Sequence, residues 1–446
     1  MREPATSPIR FATPLPLEAT FSAGRLTSDG GLPWVAEADV ALGLCQSLAA
    51  CIPEWRRGPV RHSLDQLVRQ RVFQIACGYA DQNDATTLRS DPLLQLVCDR
   101  LGARADSLPS LLASQPTFSR LENAVDRHTV ERLATALVQL YLQQRGASGR
   151  PSRIVLDIDG TDDPVHGDQE GSGYHGYYRQ HMYFPLLVFD GDTGQLITAL
   201  LRPGRCHGSR FAVLVLRRLV RYIRHTWPGM PVLLRADSGF ATPRLYAFCE
   251  DHQVDYTIGL SPNPPLEAVA QPLMTAATVL SEAAGHTKVR LTGECQYQAG
   301  SWPHPRRVVF KAEVLEKGPN TRFVVTSHTD DPLTVYTWYT QRGQPENWIK
   351  DLKNALAADR LSDHRFWANA FRLLLHAGAY WLLDTLRRWL AQAGYVAHHQ
   401  FDTLRIRLLK VGGWVRRTTK GIHLHLASSH PGEPLWLLLA QRPGRP

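Results

Sequence analysis

A small set of acids and cations in this sequence has types and spacings that could do chemistry. Asp157 and Asp159 close the apolar run IVLDID, Asp237 closes PVLLRAD, and Glu346 lies in the segment YTQRGQPENWIKDLKNAL, together with Tyr339, Arg342 and Lys353. Three converging carboxylates suit Mg²⁺ or Mn²⁺, hard ions that prefer oxygen ligands and share their shell with phosphate. Two such ions about 3.5 to 4 Å apart activate a water or a 3′-OH and stabilise the leaving oxygen of an in-line phosphoryl transfer. That chemistry requires neither Cys nor His.

For acids so distant in sequence to meet, the chain must build a sheet that gathers strand ends. From Ile154 the pattern is strand-like: IVLDID, MYFPLLVFD and QLITALL, with GDTG between the last two marking a hairpin. A helix over 211–225, the strand PVLLRAD, a helix over 243–249 and the strand VDYTIGL at 254–260 follow. The order β-β-β-α-β-α-β is that of a ribonuclease-H-like sheet, in which the first and fourth strands are neighbours. Asp157 or Asp159 then ends the first and Asp237 the fourth, and both face one pocket. Strand residues i and i+2 share a face, so either aspartate of the first strand could be the ligand. Asp157 lies deeper in the apolar run, where an acid suits a supporting partner. Asp237 has a plainer reading too, since Asp-Ser-Gly makes a good turn.

The third acid comes from beyond residues 275–330, which alternate in strand fashion (TKVRLTGECQY, RRVVFKAEVLE, TRFVVTSH) and read as a β-rich insertion. The helix after it has Pro345 in its first turn. Ile349, Leu352 and Leu356 form its buried stripe, and Glu346, Lys350 and Lys353 lie on another face. Taken alone, Glu346 could be a surface residue paired with Lys350, four positions on.

Residues 38–146 read as helical, with apolar positions at helical spacing in Leu64, Leu67, Val68, Val72 and Ile75 and again in Leu133, Leu137 and Leu140. Ser63 is the expected N-cap of one helix and Gly146 the stop of another. The breaking stretch GASGRPS at 146–152 marks a domain boundary.

At 446 residues the chain is about three times the usual ~150-residue domain. Its 50 Lys and Arg against 41 Asp and Glu leave a net charge of +9, which favours a polyanionic partner. The most apolar stretch, 371–383, is broken by Arg372 and His376 and falls short of the roughly 18 clean residues of a spanning helix. MREPATSPIR lacks the apolar segment of a signal peptide, so the expected location is cytoplasmic. The seven cysteines are scattered, without a C-x-x-C pair, and suggest neither a disulfide framework nor a zinc site.

Tyr339, Arg342, Glu346 and Lys353 stand as Y-x2-R-x3-E-x6-K, which resembles the YREK signature of insertion-sequence DDE transposases. Over nearly its whole length the chain resembles the thirteen-eighty family of bacterial insertion-sequence transposases. The stretches that carry this are GYADQNDATTLRSDP (78–92), LASQPTFSRLEN (112–123), DIDGTDDPVHGDQEG (157–171), LLRPG (200–204) and RADSGF (235–240). The resemblance implies that Asp159, in D-G-T, Asp237 and Glu346 are the catalytic, metal-binding triad, with two Mg²⁺ or Mn²⁺ ions. Tyr339, Arg342 and Lys353 would hold phosphates of the transposon end. It further implies a ribonuclease-H-like core with a β insertion between the second and third acids. The activity implied is cleavage of double-stranded DNA at terminal inverted repeats, joined to target DNA by a homodimer at the bacterial nucleoid.

The resulting architecture is α/β: an N-terminal helical, DNA-end-binding region over 1–150, a ribonuclease-H-like core of mixed sheet over 151–274, the β-rich insertion over 275–333, and the second part of the core over 334–446. Asp162, Asp163, Asp168 and Glu170 follow the first strand in a polar loop and read as a solvated turn; His166 and His207 read as turn residues. The basic runs Arg56, Arg57, Arg61; Arg217, Arg218, Arg221; and Arg416, Arg417, Lys420 read as solvated faces or DNA contacts. Trp302, in the insertion, is either a packing tryptophan or, by analogy with hairpin-forming transposases, a platform for a flipped base. Two other functions share these features: a ribonuclease-H-like nuclease that cuts without joining, and a domesticated DNA-binding protein that has no need of the acids.

Overall fold

The apolar runs pair, among the described residues, into one eight-stranded mixed sheet. A computed structural model describes residues 8–11, 15, 17–99, 111–316, 318–396 and 399–442. Segment 100–110 of the expected helical region and the first residues of the chain lie outside that description. The strands are β1 (Ile154–Gly160), β2 (Leu186–Asp190), β3 (Leu196–Leu200), β4 (Val232–Ala236), β5 (Val254–Leu260), β6 (Val289–Tyr297), β7 (Arg306–Leu315) and β8 (Gly318–Thr326). Their spatial order is β6-β7-β8-β5-β4-β1-β2-β3.

β1 runs parallel to β4 and β4 parallel to β5, whereas β1–β2 and β2–β3 are antiparallel. The first and fourth strands are therefore neighbours, as the element order predicts. Ile154 to Asp159 are all buried, which fits a central strand covered on both faces. The GDTG turn closes the β2–β3 hairpin, with Gly194 at φ +75°, a conformation that favours glycine. The run MYFPLLVFD does not form one strand. Gln180–Tyr183 joins a small three-stranded sheet with Asp163–Pro164 and Gly173–His175, and β2 starts only at Leu186, beyond Pro185, whose missing N–H interrupts a ladder.

The strands expected as a separate insertion instead extend the main sheet, since β8 pairs antiparallel with β5 and carries β7 and β6 outward. A helix, Pro264–Ala283, packs on them. Residues 275–283, read as strand-like from sequence, are its last turns.

The described chain forms two compact units. One comprises Asp126–Lys353 and Asp359–Ala377 and holds the whole sheet. Helix Arg127–Gly146, with Leu133 and Leu137 buried, belongs to it and packs on β3, so this unit begins ahead of the GASGRPS stretch. The other comprises Met1–Val125, Asn354–Ala358 and Gly378–Pro446. Its helices include Leu64–Ala76, which Ser63 caps in a reciprocal box with Gln66, and Gly413–Thr418 pairs there with both Gly421–Leu426 and Leu26–Thr27. Among the described residues no helix is long and apolar enough to cross a membrane.

One residue of LLRPG has a purely steric role. A Cβ on Gly204 would lie 1.9 Å from the Met182 carbonyl oxygen and 2.6 Å from that of Gly173, where the chain crosses the small sheet. Gly204→Ala is expected to cost about 2–3 kcal/mol through forced backbone displacement, read as a fall in melting temperature; an unchanged melting temperature would show that the crossing can yield.

Candidate active site

The site is built from the register of two strands. Asp157 stands opposite Arg235, and Ile158 opposite Ala236, across the β1–β4 pair. Asp159 and Asp237 therefore lie at the same level, one residue further along two adjacent strands. Asp159 Oδ1 accepts the Gly160 N–H at 2.9 Å, and Asp237 Oδ1 accepts the Gly239 N–H at 2.9 Å. The second reading of Asp237 also holds: one oxygen makes the Asp-Ser-Gly turn and leaves the other for the site. Both remaining oxygens face one cation, with Arg342 Nη2 at 2.8 Å from Asp159 Oδ2 and 3.7 Å from Asp237 Oδ2.

Asp157 has a different task. Arg235 grips it with Nε at 2.7 Å and Nη2 at 2.8 Å, and both side chains are 1% exposed. Arg235 also donates to the Trp338 carbonyl and the Gln341 side chain, which ties the strand to the segment carrying Arg342. A bidentate buried pair of this kind is rigid, and it leaves Asp159 as the aspartate directed at Arg342. Truncating one partner strands the other charge away from water, so Asp157→Ala is expected to destabilise by about 3–5 kcal/mol. Urea unfolding checks this, and a loss below about 1 kcal/mol would mean that water reaches Arg235.

The electrostatics follow from burial. Removal from water pushes the Asp159 carboxyl up to about 6; the charges of Asp237 and Glu346 add to this, while Arg342 and the Gly160 N–H oppose it. Burial works against the Arg342 charge, but Asp159 and Asp237 outweigh it and hold the guanidinium protonated.

Glu346 sits exposed in the first turn of helix Gln344–Lys350, which carries Pro345 there as expected. Trp348 anchors this helix, with its ring 5.4 Å from that of Phe189 on β2. The helix does not continue in α register, because Asp351–Ala355 forms a π-helical turn. Of the expected stripe Leu352 and Leu356 are buried and Ile349 is only half-buried, Trp348 being the buried residue of the helix itself, and Lys353 turns to Asp162. Its ammonium donates to the Asp162 carboxylate and carbonyl, each at 2.7 Å. Burial works against the Asp162 charge, yet Lys353 and Gln180 hold its carboxyl below the usual range. Tyr339 is half-buried against Val309, Val324, Val335 and Tyr336, within electrostatic reach of Arg342, Asp237 and Asp159.

The remaining sequence candidates lie elsewhere. Trp302 is 6% exposed, edge-on to Tyr246 and Tyr297, with the Arg306 guanidinium 5.3 Å from its ring. These surroundings are those of a packing tryptophan, with no open face for a base. The acidic loop is not uniformly solvated either. Asp163 is 1% exposed, neither carboxyl oxygen has a hydrogen-bond partner among the described residues, and burial with the nearby Asp359 pushes it up to about 8. Sequence reasoning missed Arg235, Asp162 and Asp163. The signal for Arg235 was present, because pairing the first and fourth strands sets Arg235 against Asp157.

Among the described residues no three His, Cys, Asp or Glu side chains form a group able to hold a metal ion. Asp159 and Asp237 nevertheless present oxygens alone and already converge on a cationic group, so the guanidinium stands where a hard cation would be welcome, with Glu346 in electrostatic reach. The pair fits such an ion by its chemistry.

No curated protein matches this chain. Among solved structures, piggyBac transposase in a synaptic complex with hairpin DNA is similar with a TM-score of 0.43 and 12% identity, over 86% of this chain and 80% of that one. The model of the family described as transposase DDE domain group 1 matches residues 12–442, and the chain belongs to that family.

Proposed function

We propose that this transposase cleaves double-stranded DNA at the terminal inverted repeats of its element and joins the freed 3′-OH to target DNA, with Asp159, Asp237 and Glu346 as the catalytic acids. The observation that carries the reading is the convergence of Asp159 and Asp237, level on adjacent parallel strands, upon one cation. The ribonuclease-H-like core, the thirteen-eighty family and the YREK signature belong to the same reading, supported by the strand order and by Tyr339, Arg342, Glu346 and Lys353.

Asp159, Asp237 and Glu346 would hold two Mg²⁺ or Mn²⁺ ions, which when bound activate a water or 3′-OH and stabilise the leaving oxygen. Asp159 would serve as a ligand in its ionised form, and burial lets it keep its proton to about pH 6. Arg342 and Lys353 exchange the carboxylates of Asp159 and Asp162 for phosphates of the transposon end, Arg342 with a planar fork and Lys353 as a point charge. Tyr339 adds a hydroxyl donor. These contacts position the DNA and carry no sequence information. Trp302, being buried, is left out of them. A homodimer holding two ends is the expected working assembly.

The test incubates purified wild type and Glu346→Gln with the element's terminal DNA and Mg²⁺ and maps strand breaks on a sequencing gel. Metal-dependent cuts at the element boundary, lost in the variant, are expected. Undiminished cutting by the variant would sink the assignment of Glu346; cuts without joining to a target plasmid would make the protein a nuclease, and binding without cutting a DNA-binding protein.

A further inference from the structure

The run Arg56, Arg57, Arg61 does more than decorate a surface. The loop that carries it bounds a cavity of 580 Å³ in the unit containing Met1–Val125, and Arg89, from beyond helix Asp84–Leu88, and Arg120, from helix Gln115–Ala124, complete the lining. Three separate segments thus deliver five guanidinium groups to one cavity, and no Asp or Glu lines it.

Their partners differ. Arg56 is fixed, with Nε and Nη2 on the Glu54 carboxylate at 2.7 Å each, Nη1 on the His62 carbonyl, and its guanidinium 5.1 Å from the Trp55 ring. Arg57, Arg89 and Arg120 have no carboxylate partner among the described residues, and Arg57 and Arg120 are exposed. Like charges gathered around one concavity repel one another and raise the local concentration of anions. Ser114 and Thr117 add hydroxyl groups to the wall, and Ser114 makes no side-chain capping bond at the start of helix Gln115–Ala124. Guanidinium and hydroxyl donors in an open, acid-free cavity are the donor set for phosphate oxygens.

We propose that this arginine-lined cavity is a second DNA contact, remote in sequence from the acids, which takes consecutive phosphates of a duplex backbone through Arg57, Arg89 and Arg120 without reading bases. The inference rests on the reading of the chain as DNA-acting and adds to it a positioning surface in the other unit.

The experiment measures fluorescence anisotropy of the full chain with a duplex from the element's terminus and with an unrelated duplex of equal length, across a salt series. The triple variant R57Q/R89Q/R120Q is expected to bind both duplexes about tenfold or more weakly, and the log–log salt slope should fall by roughly two to three, near 0.9 per lost phosphate contact. R57Q/R120Q, which alters only exposed side chains, should reproduce most of the change with an unaltered melting temperature, which separates lost contacts from lost folding. Unchanged affinity and slope in both variants would overturn the inference while leaving a DNA-binding wild type and the proposed function intact. A loss confined to the terminal duplex would overturn it as a backbone contact, and failure of the wild type to bind either duplex would remove both readings.

Discussion

Asp159→Asn is expected to lower DNA cleavage on the order of 10³-fold or more, the scale seen when a preorganised group that meets developing charge is removed, and at the same time to make the metal-free protein more stable. The two effects share a cause. In the folded chain burial lets the carboxyl keep its proton to about pH 6, whereas an unfolded aspartate loses it near pH 4. Between those values the native state binds more protons than the unfolded state, so stability falls as pH rises through the window and stays lowered above it. An amide carries no such penalty, and at about 1.4 kcal/mol per unit the gain above pH 7 is about 3 kcal/mol. Urea unfolding in EDTA at pH 4 and 8 checks the stability, and strand-break mapping checks the chemistry. Full activity in this variant would move the ligand role to another acid; a difference in stability that does not grow with pH would mean that Asp159 is better hydrated than its burial implies.

Asp163→Asn should stabilise the protein without touching the chemistry. Its carboxyl has no hydrogen-bond partner among the described residues, and burial together with Asp359 pushes it up to about 8. The folded state therefore holds a proton that the unfolded state releases near pH 4, and the penalty grows with pH through that whole interval. By pH 8 it reaches on the order of 5 kcal/mol, which the neutral amide removes. Melting temperatures at pH 5 and pH 8 give the readout: the variant's advantage should be several times larger at the higher pH. An equal advantage at both would show that the carboxyl ionises normally and that water reaches it.

Much of the sheet was legible because its strands are short, apolar and bounded by breakers. Ile154–Asp159 announces a central strand, GDTG a hairpin, and acids at the ends of the first and fourth strands announce a meeting place. What failed was decided by tertiary partners. Helix Pro264–Ala283 carries an internal Pro272 and many small residues, so its pattern is weak, and it packs on β6 and β7. The strands after it read as an insertion because no local signal says that β8 pairs with β5. Of the stripe assigned to Ile349, Leu352 and Leu356 only Ile349 fails to bury, because a π turn cannot be seen in periodicity. Asp163 looked like a turn residue since its neighbours are polar, and its burial depends on a strand pairing with Tyr183 in a small sheet of its own.

The bond between Arg342 and Asp159 joins residues 183 positions apart. A ribosome therefore delivers the two aspartates long before their countercharge. The segment from Tyr339 to Lys353 supplies that countercharge together with Glu346. Any fragment ending before that segment lacks Arg342 and Glu346 together, and so holds neither a neutralised pair nor a third acid. A chain cut short before Tyr339 thus lacks these two groups of the proposed site, whereas one cut short after Lys353 retains them.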